Sequence, residues 1–118
     1  MTRVFVHGSL LSGERNHGWL DGAHFLRTAL TRPEFTLHDL GSFPGLVAGG
    51  TTPVWGEVYE VGPQVLAGLD RLEGHPRFYR RTPITLADGM EVETYLLPPG
   101  HASQRPVIGS GNWKERVR

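Results

Sequence analysis

Cysteine is absent from the 118 residues. That removes a disulfide framework, thiolate chemistry and any zinc site built on Cys. Long apolar runs are missing as well, none approaching the roughly 18 residues of a membrane-spanning helix. The opening MTRVFVHGSL has neither the apolar length nor the small-residue cleavage pattern of a secretory signal. Charge of one sign is not in excess: 12 basic and 12 acidic residues give a formal net charge of zero. No phosphate-neutralising field therefore argues for nucleic acid. Lysine is nearly lacking, Lys114 standing alone against eleven arginines that are scattered rather than gathered in a run. These absences lead to the expectation of a soluble cytoplasmic protein with neither a membrane nor a nucleic-acid partner.

What is present is glycine and proline, 16 and 9 residues, in a chain that is 38% apolar and 20% charged. That balance fits one small globular domain over residues 1–118, made of short elements joined by many turns. Residues 3–7 alternate and read as an opening strand that breaks at Gly8. Residues 8–22 read as a loop with one helical turn around Trp19, and 23–31 and 35–40 as short strands. Residues 41–53 are turn-rich and read as a loop holding Phe43, Leu46 and Val47. Over 54–61 the alternation is clear, with Trp55, Glu57, Tyr59 and Val61 on one face and Val54, Gly56, Val58 and Glu60 on the other.

The principal helix is predicted over residues 63–72. Pro63 suits the first helical position, Val65, Leu66, Leu69 and Leu72 make an apolar stripe, and Gly74 supplies a left-handed stop. Residues 78–86 and 90–97 flank Asp88-Gly89, which predicts a hairpin with a two-residue turn. From His101 the tail is weakly patterned. Strands around one helix predict an α+β fold: a small, mixed, mainly antiparallel, barrel-like sheet.

Two segments could carry chemistry. In Val4-Phe5-Val6-His7-Gly8-Ser9-Leu10, a strand that breaks at glycine leaves main-chain N–H groups for an anion; these residues alone favour the alternative, an ordinary strand-to-loop turn. It is no P-loop, since Glu14-Arg15 follows Gly13 where Lys-Ser/Thr is required, and no Gly-x-Ser-x-Gly surrounds Ser9. In Leu69-Asp70-Arg71-Leu72-Glu73-Gly74, Glu73 lies at the negative end of the helix dipole. Partly buried there, its carboxyl would exchange a proton near neutrality; exposed, it would be a solvated residue beside a cap. The six histidines, His7, His17, His24, His38, His75 and His101, include no i, i+4 pair. No metal site is expected of them. Phe78-Tyr79-Arg80-Arg81 could stack on a nucleotide, but on an alternating strand the four point to opposite faces.

Read in order, these segments resemble the gamma-glutamylcyclotransferase-like family. The resemblance rests on Val4 to Leu10, then Val54-Trp55-Gly56-Glu57-Val58-Tyr59-Glu60-Val61, then Leu69 to Gly74 with Tyr79-Arg80-Arg81 after it. Phe43-Pro44-Gly45-Leu46-Val47 looks like the family's loop before the third segment, and Thr94-Tyr95 like its late strand. The chain looks closer to gamma-glutamylamine cyclotransferases and their small bacterial relatives than to the glutathione-specific branch. The resemblance implies cleavage of a γ-glutamyl amide by its own α-amine, with 5-oxoproline and a free amine as products and no metal or cofactor. Glu73 is implied as the general base and acid. His7, Gly8, Ser9, Leu10 and Tyr79 are implied to bind the γ-glutamyl substrate, and Tyr95 is a weaker correspondence. Position 7 usually carries Tyr in the family, and His7 departs from it. The leaving amine would be read by loops such as 12–21 and 75–78 and by the tail. The competing expectation is a binding or interaction domain on the same scaffold, without turnover.

Overall fold

A computed structural model describes residues 1–116. Its first strand, β1 (Thr2–Val6), pairs antiparallel with β5 (Trp55–Val61) and meets β7 (Glu91–Leu96) in the sheet's one parallel contact. Outside β5 lies β2 (His24–Leu30), and outside β7 lies β6 (Arg80–Thr85), giving the order β2-β5-β1-β7-β6. A separate hairpin is formed by β3 (Phe35–Asp39) and β4 (Pro44–Ala48). The helix α1 spans Pro63–Glu73, one residue beyond the end its apolar stripe predicts.

The alternation of β5 works as the sequence pattern implies, but both faces are buried. Trp55, Tyr59 and Val61 join the main core with Val4, Val6, Leu69 and Trp113, whereas Val58 joins a second cluster with Phe5, Leu86 and Val92. A five-stranded sheet apolar on both sides must be covered on both, which its own curl, the hairpin and α1 accomplish. The curl stops short of a barrel. Among the described residues, the edge strands β2 and β6 meet at one end, through the bridge between Thr31 and Leu86 and the Ala87 N–H donated to the Leu30 carbonyl at 3.0 Å. The Arg27–Asp88 ion pair spans the same gap. One bridge is not a ladder, so the sheet is curled and barrel-like, as expected, without being a closed barrel.

Three local expectations change. Residues 41–53 hold a strand, β4, because its paired register with β3 (Phe35 to Ala48 through Asp39 to Pro44) is set by the fold. Pro44 sits at the first position of the strand, where proline is tolerated. The Asp88-Gly89 hairpin uses three turn residues rather than two: Gly89 N–H donates to the Leu86 carbonyl at 2.9 Å and Leu86 N–H to the Met90 carbonyl at 2.8 Å. That is a type I turn closed by a bulge. Phe78 and Tyr79 belong to the turn before β6, not to the strand, which begins at Arg80. The turn folds back on the helix end, with Phe78 N–H on the Gly74 carbonyl at 2.8 Å and Tyr79 N–H on the Glu73 carbonyl at 3.2 Å.

The weakly patterned tail is held at several points: Ile108 N–H donates to the Leu37 carbonyl and Asp39 N–H to the Pro106 carbonyl, both at 2.8 Å, and its largest buried side chain is Trp113. Trp113 is 1% exposed. Its indole N–H donates to Glu14 Oε1 at 3.1 Å, and the Arg116 guanidinium lies 3.8 Å above its ring. Among the described residues no helix is long and apolar enough to cross a membrane.

Candidate active site

The carboxyl ends of β1 and α1 open on one cleft of about 260 Å³. From β1 and the following turn it takes His7, Gly8, Ser9 and Leu10; from the helix end, Leu72 and Glu73; from the turn beyond, Phe78 and Tyr79. The six residues singled out in the sequence thus share one cleft. Its wall also holds Arg15 and Asn16, from the loop expected to read the leaving amine, and Phe43 and Pro44, from the family-like segment before β5, none of them named beforehand as a site residue.

Glu73 is placed by the way α1 stops. Gly74 adopts a left-handed conformation (φ 67°), and its N–H returns to the Arg71 and Asp70 carbonyls. The half-buried Glu73 carboxyl has no hydrogen bond or ion pair among the described residues. Burial without a compensating partner disfavours its charged form and pushes its pKa up to about 7. A carboxyl that changes charge near neutrality is suited to give and take a proton there.

Around it the helix end is held by a polar lattice. Arg81 grips Asp70 in bidentate fashion, Nε to Oδ1 at 3.0 Å and Nη2 to Oδ2 at 3.2 Å, while its Nη1 reaches Glu93 Oε1 at 2.8 Å. The Tyr95 hydroxyl donates to Asp70 Oδ1 at 2.7 Å. His75 Nδ1 accepts the Arg81 main-chain N–H at 2.9 Å. Burial and the neighbouring Asp70 carboxylate hold the Tyr95 phenol well above its ordinary ionisation range. Asp70 and Arg81 lie inside the sequence motifs, but their pairing is created only when β6 crosses the helix end.

The glycine-containing turn is built differently from an ordinary one. The main-chain N–H groups of Gly8, Ser9 and Leu10 donate to no protein acceptor among the described residues. Neighbouring groups brace the turn. Leu11 N–H donates to the Gly8 carbonyl at 3.0 Å, His17 Nδ1–H donates to the Leu10 carbonyl at 2.9 Å, and buried Glu57 accepts the Ser12 N–H at 2.9 Å. Asn16 Nδ2 donates to Ser9 Oγ at 3.0 Å, which leaves the Ser9 hydroxyl proton available to the cleft. Gly8 is demanded by close approach: a Cβ there would lie 2.5 Å from Pro44 Cδ. Pro44 cannot retreat freely, because its carbonyl accepts the Tyr79 hydroxyl at 2.7 Å. Burial and the Glu73 carboxylate raise the Tyr79 phenol's pKa, keeping it a neutral donor.

His7 takes a packing position. Its ring stacks on Phe5, with centroids 6.1 Å apart, and its Nδ1 lies 3.4 Å from Thr94 Oγ1. Thr94 spends its hydroxyl proton on the Phe5 carbonyl at 2.8 Å, so His7 Nδ1 must be the donor toward it. Desolvation drives the His7 pKa down to about 4 and keeps the ring neutral. Among the described residues, no three His, Asp or Glu side chains gather into a metal-holding group.

The fold and cleft define a small α+β domain that sets one carboxyl of raised pKa against a row of main-chain donors unpaired among the described residues. Residues 4–115 match the family described as gamma-glutamyl cyclotransferase, AIG2-like, and the chain belongs to that family. A Vibrio cholerae protein provisionally named a gamma-glutamylcyclotransferase is 43% identical over 114 residues, spanning 97% of this chain and 96% of its own length. The gamma-glutamylcyclotransferase family protein YtfP of Escherichia coli K12 is 34% identical over 119 residues, covering 97% of both chains. Among solved structures, an AIG2-like protein of Mus musculus superposes with a TM-score of 0.81 at 30% identity, covering 93% of this chain and 87% of that one. Membership supports a gamma-glutamylcyclotransferase-like activity.

Proposed function

We propose that this protein cleaves a γ-glutamyl amide by attack of the substrate's own α-amine on the γ-carbonyl carbon, releasing 5-oxoproline and a free amine. The observation that carries the reading is the meeting of Glu73 with Gly8, Ser9 and Leu10 in one cleft, from opposite parts of the chain. The α-ammonium of the substrate, with an ordinary pKa of about 8, first loses a proton to water. The neutral nitrogen then attacks, and a C–N bond forms as the carbonyl π pair moves onto oxygen. Glu73 takes the second proton from the attacking nitrogen and delivers it to the departing amine nitrogen as the original amide C–N bond breaks. One carboxyl serves both steps because the proton it takes is the one it returns. Its pKa near 7 lies close to that of the amine, so neither transfer is steeply uphill.

The Gly8–Leu10 donors suit the substrate's negative centres: its α-carboxylate and the oxyanion that develops at the γ-carbon. Tyr79, fixed on the Pro44 carbonyl, bounds the glutamyl half together with Phe43. Ring closure is intramolecular, so holding the folded conformer supplies a large share of the rate. The test is mass-spectrometric detection of 5-oxoproline from a panel of γ-glutamyl amines and amino acids, with wild type beside Glu73→Gln. Release by wild type that disappears in the folded variant is the expected result. No release from well-folded wild type across a broad panel would replace this reading with that of a binding domain.

A further inference from the structure

Beside the cleft runs a second, more open groove of about 540 Å³ lined by Arg15, Gly18, Trp19, Gln64, Val65, Gly68 and Arg71. Arg15 lines both spaces, so the cleft and the groove adjoin at that residue. On the helix side the floor is a stripe at i, i+4 and i+7, namely Gln64, Gly68 and Arg71, facing away from the core-directed Leu69. At its centre Gly68 presents no side chain. A Cβ there would lie 3.6 Å from the Trp19 ring and 3.9 Å from Arg71 Nη2, so indole and guanidinium both come close to a bare backbone. Trp19 remains 44% exposed.

The charges in this groove are one-sided. It holds two guanidinium groups and no carboxylate. Neither Arg15 nor Arg71 makes an ion pair among the described residues, whereas the acids next to them in the chain are committed elsewhere: Glu14 to Trp113 and Arg116, Asp70 to Arg81 and Tyr95. Two unneutralised cations flanking an apolar indole wall attract an elongated ligand with an apolar middle and a negative end, and disfavour one with a positive end.

We infer that the groove is the subsite for the departing amine, and that it selects γ-glutamyl conjugates whose amine half ends in an anionic group. The inference rests on the cyclotransferase reading, because the scissile amide must sit in the cleft for its amine half to pass Arg15. The apolar part of the leaving half lies along Trp19 and its anionic end meets Arg71, with Arg15 contributing at the entrance. Specificity is then both attractive and repulsive: an anionic end is held, and an ammonium end is turned away.

The experiment compares three γ-glutamyl conjugates of one four-carbon amine, ending in carboxylate (4-aminobutyrate), methyl (butylamine) or ammonium (putrescine). kcat/KM for 5-oxoproline release is measured with wild type and with Arg71→Glu. Wild type is expected to prefer carboxylate over methyl by about fivefold, as for an exposed ion pair, with ammonium last. Arg71→Glu is expected to invert that order, which a merely structural loss would not do. Equal turnover of all three conjugates, unaffected by Arg71→Glu, overturns the inference and leaves the cyclotransferase reading standing. Absence of release from all three speaks against that reading instead. Calorimetric binding of the same conjugates then decides the groove: a carboxylate preference lost in Arg71→Glu upholds it, and equal affinities overturn it.

Discussion

Replacing Glu73 by Gln should make the protein more stable in alkaline buffer. The carboxyl ionises at about 7 in the fold against an ordinary value of 4.5. A raised carboxyl pKa means that the folded chain holds a proton the unfolded chain has already released, so stability falls as pH climbs through that window. Integrating between the two values, ionising Glu73 costs about 0.8 kcal/mol of stability at pH 5 and about 3.3 kcal/mol at pH 8. Gln is close in shape and does not titrate. The difference in unfolding free energy, variant minus wild type, should therefore grow by about 2.5 kcal/mol between pH 5 and pH 8. Urea denaturation of both proteins at unit pH intervals measures it directly. A difference that stays level across the range, within about 0.5 kcal/mol, refutes the burial argument for Glu73. The same titration should set the rising limb of kcat/KM near pH 7, which would identify the stability cost with the acid–base group itself.

On the acid side His7 should act in the opposite direction. Its pKa is lowered from 6.5 to about 4 by burial, so the fold loses about 2 kcal/mol as pH falls from 7 to 5, and His7→Gln flattens that loss in the same urea titrations. Gly8→Ala should destabilise by about 1–3 kcal/mol and displace the unpaired donors, because the new methyl meets Pro44 at 2.5 Å; thermal unfolding and substrate affinity check the two effects. Arg81→Met strands the half-buried Asp70 carboxylate and should cost about 1–3 kcal/mol in urea, with 5-oxoproline release falling as Glu73 loses its fixed helix end.

The helix was legible because its signals are local: Pro63 at the start, the 65-66-69-72 stripe, and the Gly74 stop. The strand β5 was legible for the same reason, its alternation surviving in the packing of Tyr59 and Val61 against one core and Val58 against the other. The strand β4 was not. Pro44 and Gly45 read as turn residues, and Gly45 is explained by tertiary neighbours: Leu97 Cδ2 would lie 2.5 Å and Leu40 Cδ1 3.3 Å from any Cβ placed there. The weakly patterned tail hid Trp113, whose partner Glu14 lies almost at the other end of the chain.

Motif order pointed to Glu73, His7, Gly8, Ser9, Leu10 and Tyr79, and the fold gathers all six at one cleft. Read alone, each motif was an ordinary turn or helix cap; it was their order along the chain, through its resemblance to a family, that singled these residues out. The properties that suit the cleft to proton transfer were not written locally. The unpaired state of the Glu73 carboxyl, the Asp70–Arg81 grip on the helix end and the Pro44 wall against Gly8 all arise where distant segments meet. Burial and charge are sums over neighbours in space, whereas a sequence orders neighbours along the chain. The residue types were therefore set by the sequence, and the proton affinity of Glu73 and the sign of charge beside it by the tertiary structure.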